Sequence, residues 1–350
     1  MAIQLTSTHS IDGQTSPYVI AEIGSNHNGD MDLARKHIAA ARSCGAHAAK
    51  FQSFSSESLI AREEYEKNTS YGDKKKHFGS LREMVDAYQL TPDQHRQVHE
   101  MCIENSIDFI STPFCRNEVD LLCELEVPFL KVASMDVNHL RFLKYVAATG
   151  KPVVLSTGMA SLGEIERAIM TIEAEGNTQI VLLHCIAIYP PDLADIHLNN
   201  IPMLERTFGY PVGFSDHSIG VHIPLAATAL GACVIEKHFT LDKNMPGWDH
   251  EISADPDELR EICNGADSIH RALGTRRRVV SPAEMEKRKK FRRSAVTVRD
   301  LPAGTCLSAE DIEYKRPGTG FAPDLEDQLV GRRLARDLNA DDVIRPEDLA

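Results

Sequence analysis

The 350-residue chain has no disulfide framework: its eight cysteines, from Cys44 to Cys306, stand singly and form no CxxC pair. Cysteines spread in this way predict a reduced, cytoplasmic setting. No stretch approaches the roughly 20 apolar residues of a membrane helix, and the opening segment MAIQLTSTHSIDGQ has no signal-like apolar core. A soluble protein with no membrane partner is therefore expected. Positive charge is also scarce, with a formal net charge of -13. That argues against duplex nucleic acid as a partner, because such binding needs clustered cations to displace counterions. It still allows a small anionic substrate, since a few convergent Lys and Arg can reverse the local field in a cleft. Missing as well is a G-x-G-x-x-G turn, since EIGSNHNGD spaces its glycines differently. This counts against an open doubly wound sheet with a dinucleotide turn.

What the chain has is 42% hydrophobic residues, arranged as recurring short runs. Runs of strand length lie at 18–24, 48–54, 108–114, 129–134, 152–158, 180–185, 212–218 and 233–240. Helical patterns fall between most of them, at 31–45, 80–106, 117–127, 139–150, 161–176, 198–208, 224–230 and 255–274. Buried strands alternating with helices imply a parallel sheet covered on both faces, and eight such units predict a (β/α)₈ barrel of the α/β class. The barrel is expected over residues 1–275 and a basic, polar linker over 276–293. A small, mostly β domain is expected over 294–350, where LPAG and LSAEDI are echoed by LNAD and IRPEDL.

In such a barrel, chemistry sits at the carboxyl ends of the strands. Those ends are polar here: Glu22, Lys50 and Gln52, Ser111 and Thr112, Lys131, Ser134 and Asp136, Ser156 and Thr157, His184 through Tyr189, Asp216 and His217, then Glu236, Lys237 and His238. Any one of these residues could be a satisfied core group. Buried charge is costly unless paired or bound to metal, so its recurrence at one end suggests a shared site. Alternation puts Lys50 with Gln52, and Glu236 with His238, leaving Lys237 on the other face. His217 and His238, with carboxylate or water, would suit Mn²⁺, Mg²⁺, Zn²⁺ or Fe²⁺. Glu22 is either a ligand or a partner for substrate hydroxyls. Lys50 and Lys131 are candidates to neutralise a phosphate or carboxylate, with Ser111, Ser134, Ser156 and Thr157 completing the anion site. A Schiff-base role for Lys131 is the competing reading.

Several motifs together resemble the sialic acid synthase family. They are AEIGSNHNGD (21–30), KFQSF (50–54), FISTPF (109–114), KVAS (131–134), KPVVLSTGMAS (151–161), LLHC (182–185) with Tyr189 and Pro190, GFSDHS (213–218) and EKHFT (236–240). The tail, with YKRPGTG (314–320) and VGRRLARDL (330–338), is similar to the antifreeze-like SAF domain of that family. The resemblance implies a transferase that condenses phosphoenolpyruvate with an N-acylhexosamine or related aldose. The product would be a nonulosonic, sialic acid-like 2-keto-3-deoxy acid. It implies His217 and His238 as metal ligands, with Mn²⁺ the usual ion and Mg²⁺ or Co²⁺ as alternatives. Lys50, Lys131, Ser134 and Ser156 match positions that hold phosphoenolpyruvate. Glu22 and Gln52 match positions near the acceptor sugar or the metal site, Tyr189 and Asp249 match sugar-contacting positions, and Thr112 and Glu236 are expected to bind substrate. Arg316 matches an arginine that reaches the other subunit's active site, which implies a domain-swapped homodimer.

Three departures stand out. Asp136 replaces the usual glutamate of an S-x-E pattern, strand six reads HCIAIYP where HCTNIYP is common, and GWDHEIS (247–253) brings in His250 and Glu251. With the carboxylate retained, Asp136 is the first candidate to orient or deprotonate water, and Glu22 the second. The competing functions are a synthase of a shorter 3-deoxy sugar acid and a non-catalytic sugar- or ice-binding protein.

Overall fold

The computed structural model describes residues 2–11, 15–70, 79–275 and 277–350. Residue 276 of the expected linker, and residues 1 and 12–14 of the opening segment, lie outside the described residues. The chain divides into one unit over Met1–Gly274 and another over Thr275–Ala350.

The first unit holds eight parallel strands: β1 (Tyr18–Gly24), β2 (Ala48–Ser53), β3 (Asp108–Pro113), β4 (Leu130–Val132), β5 (Val153–Ser156), β6 (Ile180–Cys185), β7 (Val212–Asp216) and β8 (Val234–His238). They hydrogen-bond in the order β3-β2-β1-β8-β7-β6-β5-β4. The two end strands, β3 and β4, lie side by side, so the sheet is a nearly closed TIM barrel. Its strands are buried almost throughout, as two covered faces require. Helices follow the strands, their apolar faces packed against the outer side of the sheet in a core that includes Ile23, Ile38, Phe51 and Leu143.

Local chemistry sets the helix ends. Asp30 caps the helix Met31–Cys44 by accepting from the N–H groups of Asp32 and Leu33, and Gly45 closes it in the left-handed region. The sequence pattern predicts one helix over 80–106, but the structure has two, Leu81–Tyr88 and Pro92–Glu104. Pro92 has no N–H to continue a helix and suits the first position of a new one, which Thr91 caps. A short helix at Arg62–Lys67 was not signalled by the sequence pattern.

Inside the barrel, the end opposite the strand tips is apolar. Ile20, Ala48, Ile110, Phe129, Val154, Leu183 and Val234 fill it. A two-stranded hairpin, Ile3–Gln4 with Ser10–Ile11, adds Ile3, Leu5 and Ile11 to the same cluster and closes that end.

The second unit is small and turn-rich. Strand β9 (Ser294–Thr297) pairs antiparallel with β10 (Ile312–Lys315) around Ala295, Leu301, Leu307, Leu334, Leu338 and Ile344. The repeated wording of the sequence becomes repeated structure. Leu301 and Leu338 bridge each other. Asp311 and Asp348, each ending a short 3₁₀ turn, are both buried. Asp311 accepts from the N–H of Ser308 and pairs with Arg299 at 2.6 Å, and Asp348 does the same with Arg345 N–H and Arg336, also at 2.6 Å. The expected linker is not bare chain: residues Pro282–Phe291 form a helix capped by Ser281. Among the described residues no helix is long and apolar enough to cross a membrane.

Candidate active site

A cavity of about 300 Å³ opens at the carboxyl ends of the strands. It begins one pleat beyond the apolar core. On seven strands the residue two positions after a core side chain lines it: Glu22, Lys50, Thr112, Lys131, Ser156, Cys185 and Glu236. On β7 the corresponding core position is Gly213, where a Cβ would stand 2.6 Å from the Leu183 side chain. Gln52 and His238 lie one pleat further out along β2 and β8 and also line the cavity.

The charged groups form one buried network. Lys50 Nζ lies 2.8 Å from Glu22 Oε2 and 3.7 Å from Glu236 Oε2. It donates to Thr112 Oγ1 at 3.2 Å. Lys131 Nζ donates to Ser156 Oγ at 2.6 Å and stands 3.9 Å from Glu236 Oε1. Gln52 donates to Glu22 at 2.8 Å, and Ser215 donates to Glu236 at 3.0 Å.

Environment separates the two carboxylates. Burial pushes Glu22 above the usual carboxylate range, Lys50 opposing and Glu236 adding to the effect. Burial acts on Glu236 in the same direction, but Lys131 and Lys50 outweigh it and hold Glu236 below that range. Glu22 is thus the carboxylate that more readily takes a proton, while Glu236 stays anionic. Burial works against the charge of Lys50, yet Glu22 and Glu236 overcome it and hold the ammonium above the usual lysine range. Burial lowers Lys131, which Glu236 only partly offsets.

Beside this network stand two imidazoles, with ring centroids 5.4 Å apart. Burial holds both below the usual histidine range, His238 well below it, and so keeps them neutral. His217 Nδ1 donates to the Ile186 carbonyl at 2.7 Å, which fixes the tautomer and leaves Nε2 as a lone-pair donor. His238 Nδ1 is buried without a hydrogen-bond partner. Asp249 Oδ2 lies 3.6 Å from it, and burial, reinforced by Glu22, pushes Asp249 up to about 7. Among the described residues no three His, Cys, Asp or Glu side chains converge as a finished metal cage. Two neutral imidazoles with an orphaned ring nitrogen do fit an ion whose other positions are filled by water or substrate.

Most of the sequence-derived residues meet here. Glu22, Lys50, Gln52, Thr112, Lys131, Ser134, Ser156, Tyr189, Glu236, His217 and His238 line the cavity, and Asp249 stands behind His238. Tyr189 lies over His217, with centroids 4.1 Å apart.

Other residues named from the sequence are engaged elsewhere. Asp136 does not line the cavity. It ends a 3₁₀ turn that starts at Ser134, and its carboxylate faces His139 at 3.5 Å. Ser111 is adjacent to Thr112 and so faces away, bonded to Ser53 Oγ at 2.7 Å. Thr157 turns back to the Leu183 carbonyl at 2.9 Å, and His184 faces out to the Ile196 carbonyl at 2.6 Å. His250, new in the 247–253 motif, is fully buried and bonds to Thr240 at 2.7 Å. Arg316 belongs to the second unit, where its guanidinium lies over the Phe291 ring at 5.0 Å.

The sequence reading missed Ser215, although its place two residues after Gly213 on β7 was available. It also missed an apolar wall of Phe114, Ala133, Met135 and Met159 beside Ala187, and the need for Gly158. A Cβ at Gly158 would come 2.7 Å from Ser134 Oγ, which accepts the Gly158 N–H at 3.0 Å.

Known proteins share this arrangement of chain. The N,N'-diacetyllegionaminic acid synthase of Legionella pneumophila is 38% identical over 331 residues, covering 92% of each chain. That of Campylobacter jejuni is 38% identical over 333 residues, covering 93% of this chain and 98% of its own. The crystal structure of the N-acetylneuraminic acid synthetase of Leptospira borgpetersenii superposes with a TM-score of 0.74 at 33% identity, over 82% of this chain and 95% of that one. The NeuB family model matches residues 37–278 and the SAF domain model matches 292–350. With the family model covering more than half its length, the chain belongs to the NeuB family of sialic acid synthases.

Proposed function

We propose that this protein condenses phosphoenolpyruvate with an N-acylhexosamine or related aldose, giving a nonulosonic 2-keto-3-deoxy acid and inorganic phosphate. The observation that carries the reading is the buried pair Lys50 and Lys131, which share Glu236 beside two neutral histidines. Two ammonium groups at the bottom of a cavity suit a substrate with both a carboxylate and a phosphate. C3 of phosphoenolpyruvate would attack the aldehyde carbon, leaving an oxocarbenium-like centre at C2. Water adds there, and cleavage of the C2–O bond releases phosphate. Glu22, the more basic of the two carboxylates, takes the proton of that water. Asp136, set off the cavity, is not assigned the role.

His217 and His238 would hold a divalent cation, Mn²⁺ first, with Mg²⁺ or Co²⁺ as alternatives. Bound there, it would polarise the acceptor's carbonyl oxygen. The apolar wall of Phe114, Met135, Met159 and Ala187 supports an acceptor with methyl-ended acyl groups. Two relatives are named for a diacetylated legionaminic acid, which favours a hexose with two acetamido groups. We also propose a domain-swapped homodimer in which Arg316 of one copy completes the cavity of the other. All eight cysteines are free, which supports the reduced, cytoplasmic setting assigned to it.

The test is phosphate release with phosphoenolpyruvate, Mn²⁺ and a panel of aldoses, with products identified by mass. Aldose-dependent release with a nine-carbon product is expected. A seven- or eight-carbon product would move the protein to the shorter sugar acids, and saturable sugar binding without release would leave a binding protein. Mixing Lys50→Met with Arg316→Ala protein should restore activity absent from either alone if the sites are shared between subunits.

A further inference from the structure

We infer that the buried Lys237–Asp216 ion pair is a positioning device that sets the two histidine side chains for cation binding. The inference rests on the proposed role of His217 and His238 as ligands. Each histidine is preceded in sequence by one member of the pair: His217 by Asp216, the last residue of β7, and His238 by Lys237 on β8. Successive residues point to opposite faces, so the imidazoles turn into the barrel and the charges turn away. The two strands are neighbours and place Lys237 opposite Asp216 in register.

The pair is closed and directional. Lys237 Nζ lies 2.7 Å from Asp216 Oδ2, with side chains 0% and 1% exposed. Asp216 Oδ1 accepts the N–H of Ser218 at 2.9 Å, and Lys237 donates to the carbonyl of Ser218. His217 is therefore held from both sides: by Asp216 before it and by Ser218 after it. Its own Nδ1–H is held by the Ile186 carbonyl. Net stability is a poor reason for such a pair. Well-packed apolar side chains in the same place are usually as stable or more so, because desolvating two charges offsets their attraction. What an apolar pair could not supply is the two bonds to Ser218, one to its N–H and one to its carbonyl, that fix the residue after His217. Among the described residues no side-chain hydrogen bond or ion pair joins Asp216 or Lys237 to Lys50, Lys131 or Glu236, so the influence of the pair should fall chiefly on the cation.

The experiment uses the full-length protein in four forms: wild type, Lys237→Met, Asp216→Asn and the double variant. Mn²⁺ is titrated by calorimetry without substrates, thermal melting is recorded, and KM for phosphoenolpyruvate is measured at saturating Mn²⁺. We expect the double variant, which buries no unpaired charge, to melt near wild type yet bind Mn²⁺ about 10–100-fold more weakly. Its KM for phosphoenolpyruvate should stay within about twofold of wild type. If a single variant does not fold, the double variant carries the test alone. Wild-type Mn²⁺ affinity in the double variant overturns the inference, as does a parallel loss of Mn²⁺ and phosphoenolpyruvate affinity. Failure of the wild type itself to bind Mn²⁺ overturns the ligand role of the histidines, and this inference with it.

Discussion

The two ends of the barrel interior are built by the same strands and differ in every property that matters. At one end Ile20, Ala48, Ile110, Phe129, Val154 and Val234 pack with the hairpin residues Ile3, Leu5 and Ile11. One pleat along, the same strands present Glu22, Lys50, Thr112, Lys131, Ser156 and Glu236. The distance is about 7 Å, two residues of strand rise. Within that step the interior changes from apolar packing to a network in which each charge depends on another. The two ends share a backbone, and the expectation is that neither depends on the other's side chains.

That separation can be broken experimentally. Lys131→Met, at the polar end, should lower phosphate release about 10³-fold while the protein still melts cooperatively, since it removes a cation placed for an anion. Glu22→Gln should lower turnover about 10²-fold with little change in KM for phosphoenolpyruvate, if it handles the water proton. Equal loss of turnover and binding would sink that assignment. Leu5→Ala, at the apolar end, should cost about 2 kcal/mol or more in denaturant unfolding and leave KM unchanged. An altered KM would show that the two ends are coupled.

A weaker effect is expected outside the barrel interior, at His37. Burial lowers it to about 4, and its ring bonds to the Leu33 carbonyl at 2.9 Å and accepts the N–H of Leu241 at 3.3 Å. With the folded value below the unfolded one, the unfolded chain binds more protons as pH falls. The neutral ring's contribution is complete above about pH 6.5 and is lost as pH falls toward 4, at most about 3 kcal/mol. His37→Gln keeps both bonds without titrating, so its melting temperature should fall less than wild type between pH 7 and 4.5. Smallest of all, Asp136→Asn should change turnover about threefold or less, under 1 kcal/mol of barrier. A loss near that of Glu22→Gln would return Asp136 to the mechanism.

Period two made much of the site legible. It paired Lys50 with Gln52 and Glu236 with His238, and it turned Lys237 outward, as the structure has them. It failed where strands stop. β4 ends at Val132, so Ser134 reaches the cavity from a 3₁₀ turn, and Asp136 leaves it by the same turn. Ser111 and Thr157 were grouped with the site for their place near a strand tip, when the face they occupy decides the matter. The apolar wall comes from residues after the strand ends, where no simple period applies. Pro92 was visible in the sequence, and its break of the 80–106 pattern could have been read. The helix Pro282–Phe291 was hidden by its charge, because it offers no apolar stripe and has no buried residue.

The hairpin beneath the barrel has a kinetic consequence. With that end closed by Ile3, Leu5 and Ile11, the cavity has a bottom. A vessel of this kind fills from the bottom and empties from the top. A molecule seated on Lys50 and Lys131 must arrive before one resting against Gln52 and His238, one pleat nearer the mouth. On the proposed chemistry, turnover becomes an ordered sequence, with phosphoenolpyruvate first and the sugar second. Dead-end inhibition patterns report that order directly.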